Sequence, residues 1–127
     1  MKVKELKKIL NSRNDLDGNR IRIAIEDENG GSMGDISKVY VKNNKVIICS
    51  QTENTVHSVK DFKNLLNERN DLDECETELL ICGNPDEHGE VKIVYADWSY
   101  RARNYIVFIS NNPDGDRSFN YSDGDGE

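Results

Sequence analysis

The sequence predicts an α+β fold of two tandem αβββ repeats that share a core, with one helix per repeat, antiparallel sheets and a pseudo-two-fold relation. Three observations support this prediction. A stretch of fifteen residues that begins at Val3 recurs at Val59, with ten identical positions. Each copy spaces its apolar residues as on one face of a helix. Segments that alternate apolar and polar residues follow each copy, as in half-buried strands.

The length of the chain, 127 residues, favours one domain over two independent ones. A unit of about 55 residues buries only ~60% of its unfolded surface and is marginally stable alone. We therefore expect the copies to share a core. The predicted organisation is repeat one at 1–51, repeat two at 52–112 and an acidic C-terminal tail at 113–127.

The first element of each repeat is predicted to be a helix of about three turns. The apolar faces of the two helices are Val3, Leu6, Ile9 and Leu10 in one copy, and Val59, Phe62, Leu65 and Leu66 in the other. Ser58, followed three residues later by Asp61, is a capping signal for the second helix. Asn14 and Asp15 tolerate left-handed conformations and end the first.

Three strands are predicted after each helix, at 19–26, 36–42 and 45–50 and again at 74–82, 91–98 and 105–110. Asn43 and Asn44 suit a tight hairpin turn because both tolerate a positive φ. The glycine-rich polar segments at 26–35 and 83–89 are predicted to be loops. Aligning Tyr40 with Tyr95 and Val46 with Ile106 makes the last hairpin five residues longer than its counterpart.

Charge is distributed unevenly along a chain whose net charge is −7. Repeat one has ten Lys and Arg against seven Asp and Glu, a net of +3, whereas repeat two has six against twelve, a net of −6. This asymmetry argues against direct binding to nucleic acid. The absence of a long apolar run argues against a membrane span or a signal peptide, so we expect a cytoplasmic protein.

Motifs for catalysis or metal binding are incomplete, so we predict no enzyme, no metal and no cofactor. Asp15 with Glu26 resembles a calcium loop, but Arg20 stands where glycine is needed for the sharp turn. The three cysteines are an odd number without CxxC spacing, which disfavours a disulfide framework and a zinc site. Cys49 lies in an apolar strand, where a buried, reduced thiol is expected.

The segment richest in binding-type residues lies where the last hairpin is longer than its counterpart. It contains the aromatic and basic residues that are enriched at binding hot spots, namely Trp98, Tyr100, Arg101, Arg103 and Tyr105. We predict that these residues bind a partner. The alternative is that Trp98 and Tyr105 only fill the core between the repeats.

The acidic strand of repeat two is the second predicted partner surface, through Glu74, Glu76 and Glu78. Arg20 and Arg22 occupy the positions that match Glu76 and Glu78. A two-fold axis would then set Arg20 opposite Glu78 in one six-stranded sheet. The alternative is two solvated faces of opposite charge.

The opening Val3-Lys-Glu-Leu-Lys-Lys-Ile-Leu10, followed by an acidic turn and an alternating strand, resembles small αβββ proteins of bacteriophages and prophages. The resemblance implies a phage-type accessory protein, a class that includes inhibitors of host defence proteins. We therefore predict a non-catalytic protein that binds a host or phage protein in the host cell cytosol, as a monomer or homodimer. The alternatives are a small-ligand binder or minor hydrolase that uses the inter-repeat cleft with the Gly30–Gly34 loop, and a weak nucleic-acid mimic.

Overall fold

The computed structural model describes residues 1–27, 30–51, 56–83 and 87–113; nearly all of the predicted acidic tail lies outside these ranges. The described residues form two α-helices, two short 3-10 turns at Asn14–Leu16 and Asn70–Leu72, and eight strands. In chain order the helices and strands are α1 (Val3–Asn11), β1 (Ile21–Asp27), β2 (Gly30–Asp35), β3 (Lys38–Lys42), β4 (Lys45–Ser50), α2 (Val59–Asn67), β5 (Glu76–Ile81), β6 (Glu87–Glu90), β7 (Ile93–Ser99) and β8 (Asn104–Ser110).

The strands form two mixed four-stranded sheets, with orders β2-β1-β8-β7 and β3-β4-β5-β6. Four antiparallel hairpins are joined by two parallel pairs, β1 with β8 and β4 with β5. The predicted α+β class is confirmed, but the prediction of purely antiparallel pairing is wrong. Each sheet takes one hairpin from residues 1–51 and one from residues 52–112, and the hairpins meet side by side in parallel.

Four strands, rather than the predicted three, follow each helix. β2 and β6 occupy the segments that were predicted to be loops. Both are edge strands, so apolar alternation is not required on them, and the polar, glycine-rich composition was misleading. At Gly31 a Cβ atom would lie 2.6 Å from the carbonyl oxygen of Ile25. This glycine therefore marks a close approach of two strands and not a loop.

One hydrophobic core contains residues from both segments of the chain. Leu6 of α1 and Phe62 of α2, which occupy matching positions in the repeated stretch, are fully buried. Burying an apolar side chain of this size stabilises the fold by about 1.5–3 kcal/mol. Because the core is common to both segments, neither can retain its buried surface when the other is removed.

The start of each helix is hydrogen-bonded to the turn that follows the other helix. The first N–H groups of a helix lack partners within it and need acceptors elsewhere. Here backbone carbonyls of the opposite segment accept them at 2.9–3.0 Å. The bonds run from Val3 N to Cys75 O, Lys4 N to Asp73 O, Val59 N to Asn19 O and Lys60 N to Asp17 O.

Two nearly buried lysines cross between the segments in the same way. Lys7 Nζ donates to Asp73 Oδ1 at 2.6 Å, and Lys63 Nζ donates to Asp17 Oδ1 at 2.7 Å. Lys63 Nζ also donates to Asn14 Oδ1 at 2.8 Å. All five residues belong to identical positions of the repeated stretch. The repeated residues are thus those that attach each helix to the other segment.

The predicted pairing of Arg20 with Glu78 is wrong, because β1 and β5 lie in different sheets. β1 is flanked by β8 and by its own hairpin partner β2. Asp35 of β2 accepts hydrogen bonds from Arg20 at 2.7 Å and from Arg22 at 3.1 Å. Burial raises the pKa of Asp35, but the two guanidinium groups lower it to below its ordinary value. Glu78 instead forms an ion pair with Lys45 at 3.3 Å.

The alignment of the last hairpin also needs correction. Val46 pairs with Val41 in the β3–β4 hairpin, and Val107 pairs with Ala96 in the β7–β8 hairpin. Ala96 lies 55 positions after Val41, the offset that aligns Tyr40 with Tyr95. Val46 therefore matches Val107, 61 positions on, instead of Ile106. Since the arm before the turn keeps its offset of 55, the hairpin is six residues longer and not five. Runs of similar apolar residues could not distinguish these two registers.

Candidate functional site

The β7–β8 hairpin extends beyond the length of its counterpart through two further cross-strand pairs, Trp98 with Tyr105 and Ser99 with Asn104. The turn that closes it comprises residues 100–103. Arg103 has a φ of 53°, and the N–H of Ala102 donates to Ser99 Oγ at 3.1 Å. The hairpin tip, defined as residues 98–105, is thus an ordered turn on a continuous ladder.

Three aromatic rings form a cluster on the hairpin tip. The ring of Trp98 packs edge-on against Tyr105 at 5.1 Å and against Tyr100 at 6.4 Å between centroids. Tyr105 is partly buried against the core. Trp98 is 41% exposed and Tyr100 is 88% exposed. Tyr105 therefore anchors the cluster, while the other two rings present apolar area to solvent.

Two cations lie beside these aromatic rings. Arg101 and Arg103 belong to the turn and are exposed. Neither forms an ion pair with a carboxylate within the ranges that the structure describes. The hairpin tip therefore presents two positive charges that no described carboxylate neutralises. Arginine beside aromatic rings is typical of protein-binding hot spots.

The base of the hairpin tip is held by Asn19, a residue that the sequence did not single out. Its Nδ2 donates to the carbonyl oxygen of Tyr105 at 2.8 Å and to Asn104 Oδ1 at 3.2 Å. Cys75, the matching residue of the other copy, cannot make the same pair of amide bonds. This difference between the copies was the available signal, and it became interpretable only once the hairpin's position was known.

The acidic part of the predicted partner surface lies on or directly before β5, in the other sheet. Its three residues are Glu74, Glu76 and Glu78, and they pair in turn with Lys2 and Lys4, with the N-terminal ammonium group, and with Lys45. The hydrogen bonds from Lys4 and Lys2 lower the pKa of Glu74. These carboxylates pair with the N-terminal segment and with β4, and β5 lies in a different sheet from the hairpin tip.

An apolar groove of about 500 Å³ lies between β3 and α2. Its walls include Val39 and Val41 from the strand and Leu65 from the helix. The alternative small-ligand site was expected at a Gly30–Gly34 loop, but those residues form β2. The prediction of a loop at Gly30–Gly34 is therefore wrong, and the groove between β3 and α2 has a size typical of ligand pockets.

Cys49 is buried in β4, and its sulfur lies 3.9 Å from the sulfur of Cys82, which is exposed. Burial, followed by the hydrogen bond with Cys82, raises the pKa of the Cys49 thiol to about 11. A nucleophilic cysteine needs the opposite shift, since the thiolate is the reactive form. Cys49 therefore has the environment of a structural residue.

Iodoacetamide at pH 8 is expected to alkylate Cys82 in the native protein while Cys49 stays unmodified. Raising a thiol pKa from 9.0 to about 11 lowers its thiolate fraction roughly 100-fold, tenfold per pKa unit. Mass spectrometry of the digested protein measures both sites, and alkylation in urea is the control. If Cys49 were alkylated as rapidly as Cys82 in the native protein, the interpretation of Cys49 as a structural residue would be contradicted.

The acidic residues of the calcium-like turn are engaged by basic side chains. Asp15 accepts two hydrogen bonds from Arg13, both at 2.8 Å, and Asp17 binds Lys63. Among residues 1–27, 30–51, 56–83 and 87–113, no group of three or more His, Cys, Asp or Glu could hold a metal ion.

Neither helix in the described part of the chain has the length and apolar character that a membrane span requires.

Comparison with known proteins gives no relative for this chain. No family model matches the sequence, and no curated protein or solved structure matches it either. The resemblance to phage proteins stays a prediction, and no active site is transferred from a relative.

Proposed function

We propose that this chain is a non-catalytic protein that binds another protein through the hairpin tip. The observation that carries the proposal is the exposure of Trp98 and Tyr100, at 41% and 88%, on the hairpin tip, whose base is bonded to Asn19. Large exposed aromatic side chains on an ordered scaffold lose little conformational entropy on binding. Such residues provide much of the binding energy at protein interfaces.

The preferred partner surface has an apolar pocket with acidic residues around it. The pocket accommodates the Trp98 and Tyr100 rings, and the acidic residues pair with Arg101 and Arg103. Carboxylates match the planar guanidinium group through paired hydrogen bonds. A phosphate backbone also carries negative charge, but the net charge of this chain is −7. That net charge opposes association with nucleic acid.

The partner is proposed to be a host or phage protein of the host cell cytosol, which the chain binds as an accessory protein or inhibitor. The support is the resemblance of the opening helix and strand to phage αβββ proteins. Inhibition would follow if the inserted aromatic rings block the partner's own binding surface.

The two copies of the repeated stretch are proposed to be related by an approximate two-fold axis, as products of a duplication. The strand orders support this idea, since β2-β1-β8-β7 becomes β6-β5-β4-β3 when each strand is exchanged for its counterpart. The reciprocal lysine bonds support it too, because Lys7 binds Asp73 as Lys63 binds Asp17. The long hairpin then breaks the symmetry and gives one copy the binding tip.

Replacing Trp98 and Arg101 together by alanine is expected to weaken partner binding by about 2 kcal/mol or more, roughly 30-fold, because both are hot-spot types. The tagged wild-type protein is used to capture its partner from a bacterial lysate. The affinity of the purified partner is then measured by calorimetry for the wild type and the variant.

Lys60→Ala is the matched control, since Lys60 is an exposed lysine of α2 outside the hairpin tip. The control should bind as the wild type does, and all three proteins should melt at similar temperatures. Undiminished binding by the double variant would contradict the proposed site. Unfolding of the double variant would show that these side chains serve the core instead.

A further inference from the structure

We propose a second binding site, beyond the hairpin tip, at which an extended segment of another protein adds to the edge of β3. The segment would lie in the groove between β3 and α2. The site combines a strand edge that no described strand pairs, an apolar floor and two lysines that form no ion pair with a described carboxylate. One of them, Lys38, lies over the Tyr40 ring, with its Nζ 5.2 Å from the ring centroid. Each feature selects a different property of the segment.

The strand edge selects an extended backbone. β3 is the outer strand of its sheet, and Asn43 and Asn44, with φ values of 54° and 62°, form the two-residue turn into β4. In such a hairpin Lys42 and Lys45 exchange both hydrogen bonds, so alternate residues face away from β4. The N–H and C=O groups of Val39 and Val41 therefore point to the open edge.

The groove selects apolar side chains. Val41 is 45% exposed and Leu65 is 39% exposed, although both line the groove. The matching residues of the other copy, Ala96 and Ile9, are respectively buried and packed against the core. The β7–β8 hairpin continues to Tyr105, which packs against the core, whereas the shorter β3–β4 hairpin turns at Asn43 and Asn44.

The charges select an acidic segment and disfavour a second copy of this chain. Lys38 and Lys42 lie at the two ends of β3, and neither pairs with a carboxylate in the described part of the chain. If two β3 strands paired antiparallel about Tyr40, each Lys38 would face a Lys42, and like charges directly opposite are destabilising. Glu68 and Arg69 also line the groove, and Arg69 pairs with Asp71 at 3.0 Å. The acidic residues of the segment therefore belong beside the lysines, on the other face of β3 from the groove.

These positions define a five-residue pattern. Residues opposite Val39 and Val41 place their side chains on the groove face, and residues opposite Lys38 and Lys42 place theirs beside the lysines. The preferred segment is therefore acidic, apolar, any residue, apolar, acidic. A β-branched or aromatic residue suits the central position opposite Tyr40.

The test uses two labelled peptides, Ser-Glu-Val-Tyr-Val-Glu-Ser and its charge-reversed form Ser-Lys-Val-Tyr-Val-Lys-Ser, and fluorescence anisotropy. The wild type should bind the acidic peptide about 10-fold more tightly than the basic one. The variant Lys38→Glu with Lys42→Glu should reverse that preference. Exposed lysines at a strand edge are not part of the core, and a thermal melt checks that the variant folds.

Hydrogen exchange distinguishes strand addition from simple charge attraction. The amides of Val39 and Val41 should exchange rapidly in the free protein and become protected when the acidic peptide binds. Leu65→Asp should abolish binding by placing a charge in the groove. The tip variant Trp98→Ala with Arg101→Ala should leave peptide binding unchanged, so failure at one site is distinguishable from failure at the other.

Four results would overturn the proposal. One is the absence of saturable binding up to about 1 mM, the weakest useful affinity. Another is an unchanged peptide preference in the lysine variant. A third is binding only after removal of residues 114–127, which would make the chain's own tail the occupant. The last is a dimer or a co-purified small molecule that protects Val39 and Val41.

Discussion

A chain cut after Gln51 is expected to give two fragments that are unfolded alone and that fold when mixed. In the intact protein, each sheet consists of one hairpin from residues 1–51 and one from residues 52–127. An isolated two-stranded hairpin is at best marginally stable in water. Each fragment would also lose the backbone acceptors that the other supplies to the start of its helix. Circular dichroism of each fragment and of the equimolar mixture measures the effect.

The mixture should recover the spectrum and cooperative melting of the intact chain, with a 1:1 mass by light scattering. A fragment that melts cooperatively as a monomer would contradict the interleaved arrangement of the two segments. A chain cut instead within the exposed 100–103 turn is the control, since that cut detaches only β8 and leaves both helices and the parallel β4–β5 pair in one fragment. This second nicked protein should keep most of its native signal.

Replacing Lys63 by methionine is expected to lower the free energy of unfolding by about 2–3 kcal/mol. Lys63 is only 7% exposed, and its ammonium group donates to Asn14 and Asp17. Methionine keeps the apolar stem but leaves a partly buried carboxylate without its cation, which costs more than the bond alone contributes. Urea denaturation at pH 7 measures the change.

Lys60→Met is the matched control, because Lys60 lies on the same helix and is exposed. It should change the free energy of unfolding by no more than about 0.5 kcal/mol. Adding Asp17→Asn to Lys63→Met should cost much less than Asp17→Asn does in the wild type, since the two groups are coupled. Equal losses for Lys60→Met and Lys63→Met would show that the crossing lysine does not hold the segments together.

The helices were predictable because their apolar spacing is strong and local. The Ser58 cap is also local, and Asp61 N does donate to Ser58 Oγ at 3.2 Å. The edge strands β2 and β6 were not predictable, since a strand paired on one side needs no apolar alternation. Gly31 looked like a loop residue although it marks the contact between β1 and β2.

Which strands pair with one another could not be predicted from the sequence, for a different reason. Arg20 and Glu78 have opposite charges at matching positions, which made an antiparallel contact attractive. Cross-strand charge pairs contribute only ~0.2–1 kcal/mol, too little to decide which strands meet. The shared apolar core decides it, and Asp35 and Lys45 then neutralise those charges locally.

The residue types of the candidate site were predictable from the sequence, but their packing and contacts were not. The cluster of aromatic and arginine residues was visible in the sequence, and so was the extra length of the hairpin. The division of roles between exposed Trp98 and half-buried Tyr105 depends on packing against distant residues. The part played by Asn19 depends on a contact across more than 80 positions.

The most direct test of the proposed function is hydrogen exchange of the wild-type protein with and without its captured partner. Binding through the hairpin tip predicts that protection appears at residues 98–105 and is lost with the Trp98→Ala, Arg101→Ala variant. The amides of β8 beside Ala24 serve as an internal reference, because they are already protected within the sheet. Protection confined to other surfaces, with residues 98–105 still exchanging freely in the complex, would contradict the proposed function.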